Sequence, residues 1–252
     1  MEFLKNKQNG VYILTPVVKD FEDLYIKVRD KENRVIEEAI LKVLPIVPDD
    51  FPHAKQWKMR GNSANRFINS SYLKKANNIL DIGCGNGWFS NMMAVNGMAK
   101  VFSLDVNIFE LEQGANAFAS ENLHFLYADV FRAELPEKYF DQIVINSVIQ
   151  YFPDLPQLFE RLFDLLSEGG SIHIIDSPFY EKNEVAAAAE RSKAYYASLD
   201  CEAMAENYHH HSWESINAFR PKTLYNPKSK KWLNKLIKKE DSPFYWLQIF
   251  AS

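Results

Sequence analysis

Glycine is scarce in this chain: nine residues in 252, where an average of about 7% would give nearly twice as many. Cysteine is scarcer, with only Cys84 and Cys201. Two thiols cannot build a disulfide framework, which points to a reducing compartment and a cytoplasmic location. A lone thiol such as Cys201 also makes a poor zinc site, so no metal is expected. No apolar run approaches the roughly 18–20 residues of a membrane span. The opening MEFLKNKQNG has no apolar stretch like that of a secretory signal. Compositional bias is missing too. With 47% hydrophobic residues, 25% charged residues and a net charge of -4, the chain is neither disordered, collagen-like nor a coiled coil.

What is present is a regular alternation between about Asn77 and Asp176. Short apolar runs read as strands at Asn78–Ile82, Val101–Val106, Leu123–Ala128, Gln142–Asn146 and Ser171–Ile175. Helical segments at Trp88–Asn96 and Phe109–Ser120 separate the first three. A further helix, capped by Asp154 with Pro156 in its first turn, carries the stripe Leu155, Leu158, Phe159, Leu162, Phe163 and Leu166, and Gly169–Gly170 are expected to end it. Strands alternating with helices require crossovers, hence a parallel sheet covered on both faces. The flanks read differently. Residues 1–75 suggest a helical lead-in, with helices around Phe21–Val28 and Gln56–Leu73. Residues 179–241 suggest a helical cap rich in aromatic side chains, and 242–252 a final strand at Phe244–Phe250.

Three of the nine glycines, Gly83, Gly85 and Gly87, fall within five positions in ILDIGCGNGWFS. A strand runs into a glycine turn and then into a helix, where the backbone can approach a ligand and unpaired N–H groups await it. Trp88 stands where a dinucleotide-binding G-x-G-x-x-G would place its third glycine, which speaks against an NAD-dependent oxidoreductase. Asp81-x-Gly83-x-Gly85-x-Gly87 resembles the first motif of the class I S-adenosylmethionine-dependent methyltransferases, and the resemblance continues in order over residues 77–176, within a cofactor-binding core expected at 76–178. It implies a Rossmann-like α/β fold with a mostly parallel sheet of six or seven strands, helices on both faces, a helical N-terminal lid and a C-terminal cap.

The same resemblance assigns cofactor-binding roles for S-adenosylmethionine. Asp105, with Val106, ends the second strand and would take the two ribose hydroxyls. Asp129, with Val130, would face the adenine amino group. Asp81, Gly83, Cys84 and Gly85 would meet the methionine half, Cys84 as a small packing residue and not a nucleophile. The string FDQIVINSVIQYFPD is similar to the family's fourth motif and places Asn146 by the cofactor. Arg60 is a candidate partner for the methionine carboxylate.

The acceptor is less legible. Where many small-molecule members carry histidines after the fourth strand, this chain has Gln150 and Tyr151, similar to the QYFP motif of peptide N-methyltransferase domains. Candidates for a catalytic role are Tyr151 and, from the run His209–His211, His210 or His211 acting as a base. His173, on the fifth strand, reads as a packed core histidine. Arg220–Lys239 holds eight Lys or Arg and no acid, as an RNA-directed methyltransferase would want. Yet Trp232, Leu233, Leu236 and Ile237 give that stretch one apolar face, so its lysines read as a solvated helix side. An anionic small molecule is a milder use of the same charge, whereas nucleic acid and membrane are not expected as partners. The expectation is methyl transfer to a small or medium-sized N or O nucleophile by in-line displacement. The rivals are an RNA-directed enzyme, an oxidoreductase, and a non-catalytic protein that binds S-adenosylmethionine.

Overall fold

A computed structural model describes residues 3–229 and 240–251 of the chain. Its centre is a sheet in which five parallel strands carry the apolar runs of the sequence: β3 (Asn78–Ile82), β4 (Lys100–Asp105), β5 (Leu123–Tyr127), β6 (Phe140–Asn146) and β7 (Leu166–Ser177). They lie in the spatial order β5-β4-β3-β6-β7. The sheet is larger than the six or seven strands expected. At one edge, the N-terminal segment adds β2 (Val11–Ile13), parallel to β5, and β1 (Lys7–Gln8), antiparallel to β2. At the other, β9 (Tyr245–Phe250) pairs antiparallel with β7, and β8 (Lys222–Tyr225) pairs antiparallel with β9. Nine strands thus form one sheet among the described residues.

These additions correct two boundaries. The lead-in 1–75 is not wholly helical, because its first strands extend the sheet, and the segment 179–241 is not wholly a cap, because β8 belongs to the sheet. Residues 230–239, which carry most of the expected basic helix, lie outside the described residues.

The side chains of successive residues in a strand point to opposite faces, and here both faces are apolar. Ile79, Val101, Val144 and Ile175 face one core; Leu80, Ile82, Phe102, Ile143, Ile145 and Ile174 face the other. On the first face pack α2 (Glu38–Leu41), α3 (Ala54–Ile68), α4 (Ser71–Lys75), α5 (Trp88–Asn96) and α6 (Ile108–Ala117), through Leu41, Trp57, Phe67, Leu73, Phe89 and Leu111. On the second packs α7 (Leu155–Leu165), through Leu158, Phe159 and Leu162. The Asp154 side chain caps α7 as read, accepting from the Gln157 N–H at 2.9 Å. The helix stops before the glycine pair, however, because Leu166 already begins β7.

A third, smaller cluster sits apart from the sheet. The N-terminal helix α1 (Lys19–Lys31) meets α8 (Val185–Ser198) and the turn after it through Val28, Tyr196, Cys201 and Met204. Polar contacts stitch the two together. Lys31 Nζ reaches Asp200 at 3.0 Å and the Leu199 carbonyl at 2.5 Å, and the Tyr195 hydroxyl donates to Glu32 at 2.5 Å. Segments far apart in sequence therefore build one lid. No helix among the described residues is long and apolar enough to cross a membrane.

Candidate functional site

The lid closes over the carboxyl ends of the parallel strands, where open α/β sheets bind ligands. Two adjoining cavities lie there, of about 310 Å³ and about 560 Å³. Tyr25, Gly83, Gly85, Ser147 and Tyr151 line both.

The smaller cavity is mostly apolar. Ile82, Leu104, Val106, Ala128, Val130, Val148 and Phe152 line it, with the carboxyl groups of Glu22, Asp105 and Asp129 at its polar points. Asp105 ends β4 and accepts backbone hydrogen bonds from Gly85 at 2.7 Å, Val106 at 2.8 Å and Asn107 at 2.9 Å. Burial raises its pKa above the ordinary range, and those three N–H donors oppose the rise. The carboxylate therefore braces the glycine turn while keeping lone pairs for a ligand. Asp129 receives the Phe131 N–H at 3.0 Å and pairs with Arg132 at 3.3 Å. Glu22, from α1, takes the Phe109 N–H at 3.1 Å, and its Oε2 is buried without a partner.

The glycine turn separates the cavities. Gly83 adopts φ +66°, and a Cβ there would lie 2.2 Å from Val148 Cγ2. Asp81 is buried beneath the turn and accepts from the Ser90 hydroxyl at 2.5 Å. Burial pushes its carboxyl up to about 7, the Ser90 bond opposing and the Asp105 charge adding. Burial likewise raises the Cys84 thiol well above its usual value, which keeps it protonated and unsuited to nucleophilic attack.

The larger cavity is polar. Arg29, Arg34 and Arg60 line it, with Asp81, Glu110 and Asp176, the amides Asn146 and Gln150, and Tyr208 from the cap. Burial, then the neighbouring Arg29 and Arg34 cations, lowers the Arg60 pKa to about 10. Its guanidinium sits 5.1 Å from the Trp57 ring centroid, a cation–π contact. Burial, countered by Arg29 and reinforced by Asp105, lifts Glu110 to about 7. Three acceptor oxygens of this cavity are buried with no hydrogen-bond partner: Asn146 Oδ1, Gln150 Oε1 and Asp176 Oδ2. Leaving such atoms unpaired costs about 1–3 kcal/mol each, a cost that a ligand's N–H or O–H groups would remove.

All ten residues expected at a cofactor line one cavity or the other: Asp81, Gly83, Cys84, Gly85, Arg60 and Asn146 the larger, and Asp105, Val106, Asp129 and Val130 the smaller. Tyr151 stands at their junction, its ring edge-on to Phe21, Tyr25 and Tyr208. The two histidines require correction, since neither His210 nor His211 lines either cavity. His210 Nε2 lies 2.9 Å from Ser192 Oγ, and the buried His211 Nε2 lies 3.2 Å from the Ile149 carbonyl. Neighbours in extended backbone face apart, and here the pair ties the cap to α8 and to the turn after β6. Tyr208 lines the cavity instead. Sequence reasoning also missed Tyr25, Arg29, Arg34, Glu110 and Asp176. Only Asp176 had a readable signal, as an acid just beyond the fifth apolar run at a strand's ligand-binding end. Among the described residues, no group of three or more His, Cys, Asp or Glu is placed to hold a metal ion.

Comparison with known proteins identifies the family. The family model described as "Methyltransferase domain" matches residues 73–240. The chain belongs to that family, of the class I S-adenosylmethionine-dependent type. A phosphoethanolamine N-methyltransferase of Triticum aestivum is 31% identical over 196 residues, covering 73% of this chain and 37% of that protein. Malonyl-[acyl-carrier protein] O-methyltransferase 1 of Ilyobacter polytropus is 34% identical over 122 residues, covering 48% of this chain and 44% of the relative. The chain spans about half the length, or less, of the curated relatives it matches. Among solved structures, Haemonchus contortus phosphoethanolamine N-methyltransferase 2, in complex with phosphomonomethylethanolamine and S-adenosylhomocysteine, superposes with a TM-score of 0.60. It is 18% identical and covers 89% of this chain and 51% of that one. At that identity the likeness concerns the fold of the methyltransferase domain alone.

Proposed function

We propose that this methyltransferase domain transfers a methyl group from S-adenosylmethionine to a small, anionic acceptor with an N or O nucleophile. One observation carries the reading: the two adjoining cavities divide by chemistry as this donor does, apolar with acids for the adenosine, polar with a cation for the methionine end. The unpartnered oxygens Glu22 Oε2 and Asn146 Oδ1 fit donor hydroxyl and ammonium groups. Three arginines lining the larger cavity of a chain with net charge -4 favour an anionic acceptor.

The bound donor supplies a methyl group activated by its sulfonium, so the hard chemistry belongs to the cofactor. The protein's task is alignment, which contributes roughly 7–11 kcal/mol when reacting atoms are held in line. Asp105 is the acceptor for the ribose diol and Asp129 for the adenine amino group. Gly83 and Gly85 leave space beside the turn, Asp81 and Asn146 face the ammonium, and Arg60 holds the carboxylate. Tyr151, at the junction, closes the transfer point against water.

Titration calorimetry with S-adenosylmethionine and S-adenosylhomocysteine tests this. Both should bind the wild type, and Asp105→Ala should weaken them at least about tenfold, since ionised acceptors make the stronger hydrogen bonds. Absence of binding to the folded wild type, or unchanged affinity in Asp105→Ala, would sink the reading.

A further inference from the structure

Donor groups do not use up the polar inventory of the larger cavity. S-adenosylmethionine brings one carboxylate and one ammonium to it. Against the single carboxylate stand two guanidinium groups, Arg29 and Arg60, with no carboxylate within ion-pair distance among the described residues, and Arg29 Nε is also buried without a partner. Arg34 differs, being engaged by Glu32 at 3.2 Å and Gln56 at 2.7 Å. The single ammonium has three N–H donors; with Asp81 and Asn146 assigned to it, it can meet at most one of the remaining unpartnered oxygens, Gln150 Oε1 and Asp176 Oδ2. The cavity therefore has polar groups to spare for a second anion and a second N–H donor.

Strand order says which residues are left over. Asp105 ends β4, the glycine turn follows β3, Asn146 ends β6, and Asp176 lies one residue past the Asn146–Ile175 pairing of β6 with β7. Neighbouring strands are about 4.8 Å apart, so Asp176 stands roughly 14 Å along the sheet from the ribose-binding acid. That is beyond β6, on the acceptor side of the transfer point. Asp176 is also held for a purpose its own strand does not require. Oδ1 accepts from Ser63 on α3 at 2.7 Å and from Ser242 ahead of β9, while Oδ2 is buried without a partner in a residue that lines the cavity. Its backbone takes φ +50°, a left-handed conformation costly for a residue with a side chain and typical of sites where one is aimed.

Resting on the proposed function above, we infer that the acceptor is a small dipolar amine, its nitrogen received by Asp176 and Gln150 and its anionic group, carboxylate or phosphate, by Arg29. The amine enters as an ammonium ion. Asp176 accepts one N–H proton, which frees the nitrogen lone pair. The N–CH3 bond then forms as the sulfonium's S–CH3 bond breaks, its electron pair staying on sulfur as a neutral thioether. The product is the N-methylammonium ion, and the proton on Asp176 returns to water. Burial raises the Asp176 carboxyl above its ordinary pKa, opposed by the two serines, Arg60 and Arg66, which suits a proton acceptor.

The test uses the full chain saturated with S-adenosylhomocysteine, and wild type with S-adenosylmethionine for turnover. Phosphoethanolamine, glycine and β-alanine are the dipolar probes; ethanolamine and propionate lack one pole each. At least one dipolar amine should bind at least tenfold more tightly than either single-pole probe, and its methylation should release S-adenosylhomocysteine. Asp176→Asn, which suits the left-handed conformation equally, should lower kcat about 100-fold or more with donor affinity unchanged within twofold. Arg29→Gln should chiefly raise KM, by about tenfold or more, for the carboxylate or phosphate probe. A donor-saturated protein that binds none of the dipolar amines overturns the inference while leaving the donor reading standing, as does full turnover in Asp176→Asn. A protein that binds no donor fails at the earlier step.

Discussion

Gly83 shows how little room the site gives a single atom. Its φ of +66° lies where only glycine rests easily, and an added Cβ would fall 2.2 Å from Val148 Cγ2, inside any tolerable contact. Gly83→Ala is therefore expected to cost roughly 1–3 kcal/mol in urea denaturation and to weaken donor binding, because Val148 lines the smaller cavity. A loss below about 0.5 kcal/mol with intact affinity would show that the turn is looser than the geometry requires. At this scale the sequence was legible wherever chemistry follows from local backbone. Asp81, Asp105 and the glycines lie beside their own strands, so strand register alone aims them at the ligand face. His210 and His211 were not legible, since their neighbours Ser192 and the Ile149 carbonyl come from elsewhere in the chain.

Among the elements, β7 carries a polar cluster inside an otherwise apolar sheet. His173 is fully buried, its Nδ1 accepting from the Trp246 indole N–H at 3.0 Å and its Nε2 lying 2.7 Å from Gln142 Oε1 and 3.1 Å from Ser171 Oγ. With Nδ1 as acceptor, the ring proton sits on Nε2 and the neutral imidazole is satisfied on both sides. Burial lowers its pKa to about 3. The folded pKa lies below the unfolded one, so this group's contribution is present above about pH 6.5 and is lost as pH falls toward 3, by up to ~1.4 kcal/mol per unit. Between pH 6.5 and 4.5 the wild type should lose roughly 2 kcal/mol more than His173→Asn, read as the difference in the slopes of unfolding free energy against pH. Equal slopes would mean that the ring protonates freely in the fold. The sequence had already marked His173 as a core residue, because it sits at an inward position between apolar neighbours. The pairing with Gln142, Ser171 and Trp246 depended on strand register.

In the molecule as a whole, the two cavities exist because α1 and the segment from α8 to Tyr208 close against each other. The buried part of their contact is small, centred on Val28, Tyr196, Cys201 and Met204, and several joining contacts are exposed, such as Lys31 with Asp200. Exposed ion pairs contribute about 0–1 kcal/mol, so the lid is held much less firmly than the sheet and should open locally. Hydrogen exchange should therefore be at least about tenfold slower with S-adenosylhomocysteine in residues 19–31 and 185–207, while the central strands β3 and β6 change little. Uniform protection across the chain, or none in the lid, would contradict a lid that closes on ligand. The helices of this lid were visible as propensity and apolar spacing, but their partnership was not. It joins residues such as Lys31 and Asp200, 169 positions apart, and nothing local specifies such a pairing.

The sequence by itself determined the parallel core, the glycine turn and the acids beside it, because strand periodicity and backbone freedom are local properties that survive without a partner. Nine glycines in 252 residues, three of them at one turn, marked the turn that lines both cavities. Only the tertiary structure decided what else lines the larger cavity. Arg29 on α1, Asp176 near the carboxyl end of β7 and Tyr208 in the cap meet through packing between distant segments. So does the burial that leaves Asp176 Oδ2 and Arg29 Nε unpartnered. That burial, and not the residue types alone, leaves an arginine and an aspartate of the cavity short of polar partners.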